Sequence, residues 1–140
     1  MKLVRFSASG QSCWGRVEGD TVRVMDGSPF DQSLMPTEAV EQLDNLHLLP
    51  PSNPSKIVCI GSNYRAHCAE MGRDVPDTPK LFLKPPSSLI ASGQPIRLPA
   101  GVGRVDYEGE LAVIIGRQAR HIQPREVDDY VLGYSLLNDV

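Results

Sequence analysis

The sequence predicts a mixed α+β fold, mainly β, in two parts: a small β-rich N-terminal domain over residues 1–49 and a second domain from residue 56 onward. Short apolar runs near the start are broken by Gly-Asp and Asp-Gly pairs, which close tight turns. Three prolines, Pro50, Pro51 and Pro54, fall within five residues and stop any regular element, so residues 50–55 form a linker. Beyond them, β-branched apolar runs alternate with proline-rich connectors, and helical signals are short.

Taken in order, "MKLVRFSASGQSCWGRVEGDTVRVMDG" reads as two or three short strands. "PTEAVEQLDNLHLL" carries a short helix capped by Thr37, with Ala39, Val40, Leu43 and Leu46 near one face. After the linker, "KIVCIG" is an apolar strand. It runs into a helix in "SNYRAHCAEMG" that Ser62 or Asn63 starts and Gly72 stops. "LFLK" is a short strand, "PPSSLIASGQ" an irregular connector, and "PIRLP" a strand bounded by prolines. "VDYEGELAVIIG" supplies the next strand, with Leu111 to Ile115 apolar enough for burial on both faces. "QPREVDDYVLG" is a helix with Pro124 in its first turn and Gly133 past its end, and "YSLLNDV" is a last apolar strand.

A chain of 140 residues with 41% hydrophobic residues can build a core. Fourteen Lys and Arg against 17 Asp and Glu give a formal charge of -3, with no basic stripe for a phosphate backbone, which argues against nucleic acid as a partner. No apolar run reaches the roughly 18 residues of a membrane span, and the first ten residues lack a signal-peptide core. A cytoplasmic protein without a membrane partner is expected. Cys13, Cys59 and Cys68 are odd in number and lack CxxC spacing, so buried, reduced thiols are expected.

The residues that carry chemistry begin with Glu108 and Glu110. Side chains two apart on a strand face the same way, with Cα atoms about 7 Å apart, so both carboxylates can converge on one object. Gly109 between them has no side chain and lets the opposite face be approached closely. Two carboxylates at the entrance to a buried strand repel unless solvent or a cation relieves them. A bare Glu-x-Glu pair also suits a solvated strand end. Asp139, in another apolar strand, is equally out of keeping with its neighbours. Three carboxylate ligands suit Mg²⁺ or Mn²⁺ rather than zinc and leave positions open for water and substrate.

His67 and Glu70 stand three apart on the helix, hence on one face, as a general-base dyad or as an ordinary surface pair. Lys84, at a strand end beside two prolines, can reach a substrate carboxylate or remain solvated. Arg65 and Arg104 are further cations with a weaker positional argument.

Taken together, "KIVCIGSNYRAHCAEMG", "PKLFLKPPSSLI", "RVDYEGELAVIIG" and "DYVLGYSLLNDV" resemble, in order and spacing, the fumarylacetoacetate hydrolase family over about Lys56 to Val140. The opening "MKLVRF" with its Gly-Asp turn resembles the small N-terminal domain of many bacterial members. The resemblance implies a mixed β-sandwich roll, of which residues 56–140 would be the N-terminal, incomplete part of the catalytic domain. It further implies Mg²⁺ or Mn²⁺ on Glu108, Glu110 and Asp139 and a lid helix whose His67 and Glu70 activate water; Lys84 and Arg65, read from their positions in the sequence, are the expected substrate-binding residues.

The family cleaves or rearranges 2-oxo acids and 1,3-diketo acids by stabilising an enolate at the metal. Acylpyruvates, oxaloacetate and hydroxymuconate-type diacids are therefore the expected small-molecule substrates, and a homodimer the expected complete form. Members usually continue past "NDV" into a Thr-Ala-Arg-Asp-like motif, a catalytic lysine and the rest of the sheet. The expectation is thus a truncated chain, poorly stable or inactive alone, with a noncatalytic remnant or half of a split enzyme as the alternative.

Overall fold

The computed structural model describes residues 1–140 and is built from nine strands, one short α-helix and three 3₁₀ turns. The chain divides into two compact units, Met1–Ser52 with Ala91–Val140, and Asn53–Ile90.

In the first unit, β1 (Leu3–Ala8), β2 (Gln11–Glu18), β3 (Thr21–Asp26), β4 (Met35–Gln42) and β5 (His47–Leu49) form an antiparallel sheet in the order β4-β3-β2-β1-β5. Two-residue loops join the first three strands, with Ser9 and Gly10 both at positive φ in one and Gly19 in the other. The sheet buries residues on both faces. Phe6 and Val22 are 1% and 0% exposed on one side; Trp14 and Met25 lie on the other, with Phe30 edge-on to Trp14 at 6.1 Å. Gly15 sits between Phe6 and Val22, where a Cβ would come within 2.1 Å of Val22 Cγ1.

The helix expected over residues 36–49 is instead β4, a 3₁₀ turn (Leu43–Asn45) and β5. The edge of β3 needs a hydrogen-bonding partner, and residues 35–42 supply it with Arg23 opposite Val40 and Thr21 opposite Gln42. Thr37 caps no helix; its Oγ1 donates to the Val24 carbonyl at 2.9 Å.

In the second unit, β6 (Ile57–Gly61) and β7 (Lys80–Lys84) form an antiparallel pair, with Gly61 opposite Lys80 and Ile57 opposite Lys84. Between them lies α1 (Arg65–Glu70). Its N-cap is Tyr64, without a side-chain cap; Ser62 is held at φ 57 and its carbonyl accepts from Cys68 Sγ, so neither Ser62 nor Asn63 caps the helix. Gly72 ends it at φ +62. The Arg73 N–H donates to Cys68 O and the Gly72 N–H to Ala69 O, a Schellman closure. Cys68 is buried, whereas Cys13 and Cys59 are only half-buried, and all three are free thiols.

Returning to the first unit, β8 (Glu108–Ile115) and β9 (Val131–Asp139) pair antiparallel over their whole length. The expected strand in "PIRLP" does not form; Pro95 and Pro99 remove two donors and residues 95–99 have no partner strand. The expected helix over residues 123–133 is a 3₁₀ turn, Pro124–Asp129, started by a Gln123/Glu126 capping box. Gly133 lies inside β9 opposite Ile114 rather than at a helix end.

Burial of β8 on both faces is also corrected. Glu110, Ala112 and Ile114 are half-buried, while Leu111, Val113 and Ile115 alternate outward and are exposed, as is Leu136 opposite Leu111 at 87%. No helix is long and apolar enough to cross a membrane.

Candidate metal centre

The β8–β9 ladder places the three carboxylates. Glu108 is directly opposite Asp139, and Glu110, two residues along and opposite Leu137, shares their face by the strand alternation. Opposed Cα atoms in such a pair are about 5 Å apart and i,i+2 neighbours about 7 Å, so three carboxylates can meet above one point of the sheet. Glu108 is exposed; Glu110 and Asp139 are half-buried.

The donor set is all oxygen, threefold and on one face, which fits a hard divalent cation and leaves coordination positions over. The side chains themselves are not gathered: no three His, Cys, Asp or Glu groups stand close enough to hold an ion. Register and donor chemistry are thus compatible with a hard divalent cation, while the side chains as placed do not converge on one point. A Cβ on Gly109 would meet nothing within 4 Å, so the close approach expected at that glycine is not used in this chain.

The second unit holds the other site residues. His67 Nδ1 and Glu70 Oε2 are 3.8 Å apart on the same face of α1, within ion-pair reach but too far for a hydrogen bond. Both are solvent-accessible. Arg65 opens α1 on an exposed position. Lys84 is half-buried at the Ile57 end of the β6–β7 pair, whereas α1 leaves from the Gly61 end. Four residues of strand, about 13 Å, separate these two ends.

Asn138 was not singled out by its sequence, yet it touches the site's backbone. Its Oδ1 accepts the hydrogen bond from the Glu108 N–H at 3.0 Å. The available signal was an amide side chain directly preceding Asp139 in an otherwise apolar strand. Elsewhere in the first unit, two open depressions of about 540 and 260 Å³ are lined by other residues and include none of the three carboxylates.

Comparison with known proteins bears on this arrangement. Residues 56–140 match the fumarylacetoacetate (FAA) hydrolase C-terminal family model, and residues 1–51 match the Rv2993c-like N-terminal model. Protein Rv2993c of Mycobacterium tuberculosis is 46% identical over 100% of this chain and 55% of its own length. The mitochondrial oxaloacetate tautomerase fahd2 of Xenopus laevis is 43% identical over 69% of this chain and 30% of its own.

Among solved structures, the 2-hydroxyhepta-2,4-diene-1,7-dioate isomerase of Mycobacterium marinum has a TM-score of 0.84 at 33% identity, covering 99% of this chain and 54% of that one. The maleylpyruvate hydrolase of Sphingobium sp. SYK-6, in complex with manganese (II) ion and pyruvate, has a TM-score of 0.75 at 28% identity, covering 99% and 58%. The chain thus spans about half the length of the full-coverage relatives it matches. It belongs to the fumarylacetoacetate hydrolase family.

Proposed function

We propose that this chain carries the metal-binding part of a divalent-metal-dependent enzyme that hydrolyses, decarboxylates or isomerises 2-oxo or 1,3-diketo acids. The observation that carries the reading is the shared face of Glu108, Glu110 and Asp139 on β8–β9. The isomerase, tautomerase and manganese-bound hydrolase among its relatives support it.

Glu108, Glu110 and Asp139 would hold Mg²⁺ or Mn²⁺. When bound, such an ion stabilises negative charge developing on a carbonyl oxygen. His67 would accept a proton from water, with the Glu70 carboxylate on the same helical face 3.8 Å from its Nδ1, within ion-pair reach. Lys84 and Arg65, toward opposite ends of the β6–β7 pair, would each offer positive charge to a different part of an acidic substrate. Acylpyruvates, oxaloacetate and hydroxymuconate-type diacids are the substrate classes, and a cytoplasmic homodimer, bound to neither nucleic acid nor membrane, is the complete form.

A second reading is that these residues are one half of an assembly finished by further polypeptide. The exposed Leu111, Val113, Ile115 and Leu136 favour it, because two-stranded pairs are marginal alone and apolar stripes of this kind are normally covered.

The test is metal-dependent conversion of the three substrate classes by the purified chain, beside Glu108→Ala. Conversion that needs Mn²⁺ or Mg²⁺ and is lost in the variant supports the enzyme; equal conversion by both removes the site. No conversion by either selects the second reading.

A further inference from the structure

We infer that Asn138 is a positioning residue for the Glu108 carboxylate. The inference rests on the metal-site reading above and adds a residue to it.

Glu108 is the first residue of β8, and residues 102–107 before it form no regular element, so its backbone lies at the fraying end of the ladder. The next residue is Gly109, the most permissive backbone in the strand and without a Cβ contact to restrain it. A ligand placed between irregular chain and a glycine needs a tether if its carboxylate is to return to one point. Asn138 supplies one: its Oδ1 takes the Glu108 N–H at 3.0 Å. Asn138 stands opposite Gly109 and so alternates away from the face that Glu108, Glu110 and Asp139 share. It fixes the ligand's backbone from that position without itself being a ligand on the carboxylate face. Its neighbour Asp139 is a ligand, so one dipeptide both supplies a carboxylate and holds the residue that supplies the opposing one.

The inference is tested on the 140-residue chain by two readouts. One is Mn²⁺ affinity by electron paramagnetic resonance of the free ion. The other is hydrogen exchange at the Glu108, Ala112 and Ile114 amides without metal. Asn138→Ala is expected to weaken Mn²⁺ binding roughly tenfold, as loss of a residue that orients a metal ligand typically does. It should also speed exchange at Glu108 while leaving Ala112 and Ile114 protected.

Asn138→Asp keeps the acceptor and is expected to bind Mn²⁺ within about threefold of the parent, well inside that loss. Parent-like Mn²⁺ affinity and Glu108 exchange in Asn138→Ala would overturn the inference. So would loss of protection along all of β8, which would make the role that of a general strand contact. Parent-like Mn²⁺ binding in Glu108→Ala and Asp139→Asn would sink the metal-site reading instead, and exchange at Glu108 would still decide whether Asn138 holds that backbone.

Discussion

Glu108 faces Asp139 directly across the β8–β9 ladder, so the first residue of one strand and the last of the other set two acidic residues in opposed positions on one face. Like charges directly opposed on a sheet are destabilising. Glu108→Gln is therefore expected to stabilise the chain in chelator by about 0.2–1 kcal/mol. The same variant should lose the rise in melting temperature that Mn²⁺ gives the parent through preferential binding to the folded state. Thermal denaturation with and without Mn²⁺ checks both.

His67 and Glu70 share a face of α1 and belong to the unit that does not carry the carboxylates. His67→Ala should accordingly keep Mn²⁺ affinity. In the catalytically complete form it should lose hydrolysis by about 10²–10⁴-fold, the usual contribution of a general base. Decarboxylation, which needs no attacking water, should survive. Parallel assays on an acylpyruvate and on oxaloacetate separate the two.

Gly15 and Gly109 make a contrast in stability. A Cβ at Gly15 would strike Val22 Cγ1 in the most buried part of the N-terminal sheet, whereas one at Gly109 meets open space. Gly15→Ala should cost about 1–3 kcal/mol by overpacking. Gly109→Ala should stay within about 0.5 kcal/mol of the parent. Denaturant unfolding of the two variants measures the difference.

Glu18 lies between Arg16 and Arg23 on the N-terminal sheet. Its hydrogen bonds to Arg16, then those to Arg23, hold its carboxyl below the usual value of 4.5. A carboxyl depressed on folding contributes stability that is present above the unfolded pKa and lost as pH falls through the folded one. Glu18→Gln should thus be less stable than the parent above about pH 4.5, and the two should converge in more acidic solution. The site is solvated, so the difference should shrink at high salt.

Much of this fold was legible in the residues. β6, β7, β8 and β9 announce themselves as apolar runs bracketed by Pro, Gly and charged residues, and α1 by its Gly72 stop. What failed depended on partners. Val40 and Leu43 satisfy a helical spacing, but the open edge of β3 captured the segment as β4. Gly133 looked like a helix stop until its pairing with Ile114 placed it inside β9.

At the site, the common direction of Glu108 and Glu110 followed from strand period alone. That Asp139 joins them depended on register, which is set by the hairpin as a whole. The position of Lys84 at the far end of β6–β7 from the start of α1, and the hydrogen bond of Asn138 to the Glu108 backbone, came from the structure.

The central claim is that three carboxylates on one face of β8–β9 form a single divalent-cation site. Its most direct measurement is a calorimetric titration of the chain with Mn²⁺, repeated on Glu108→Ala, Glu110→Ala and Asp139→Asn. One ion bound by the parent and a loss of binding in each variant is the expected result; binding that persists unchanged in the three variants would contradict it.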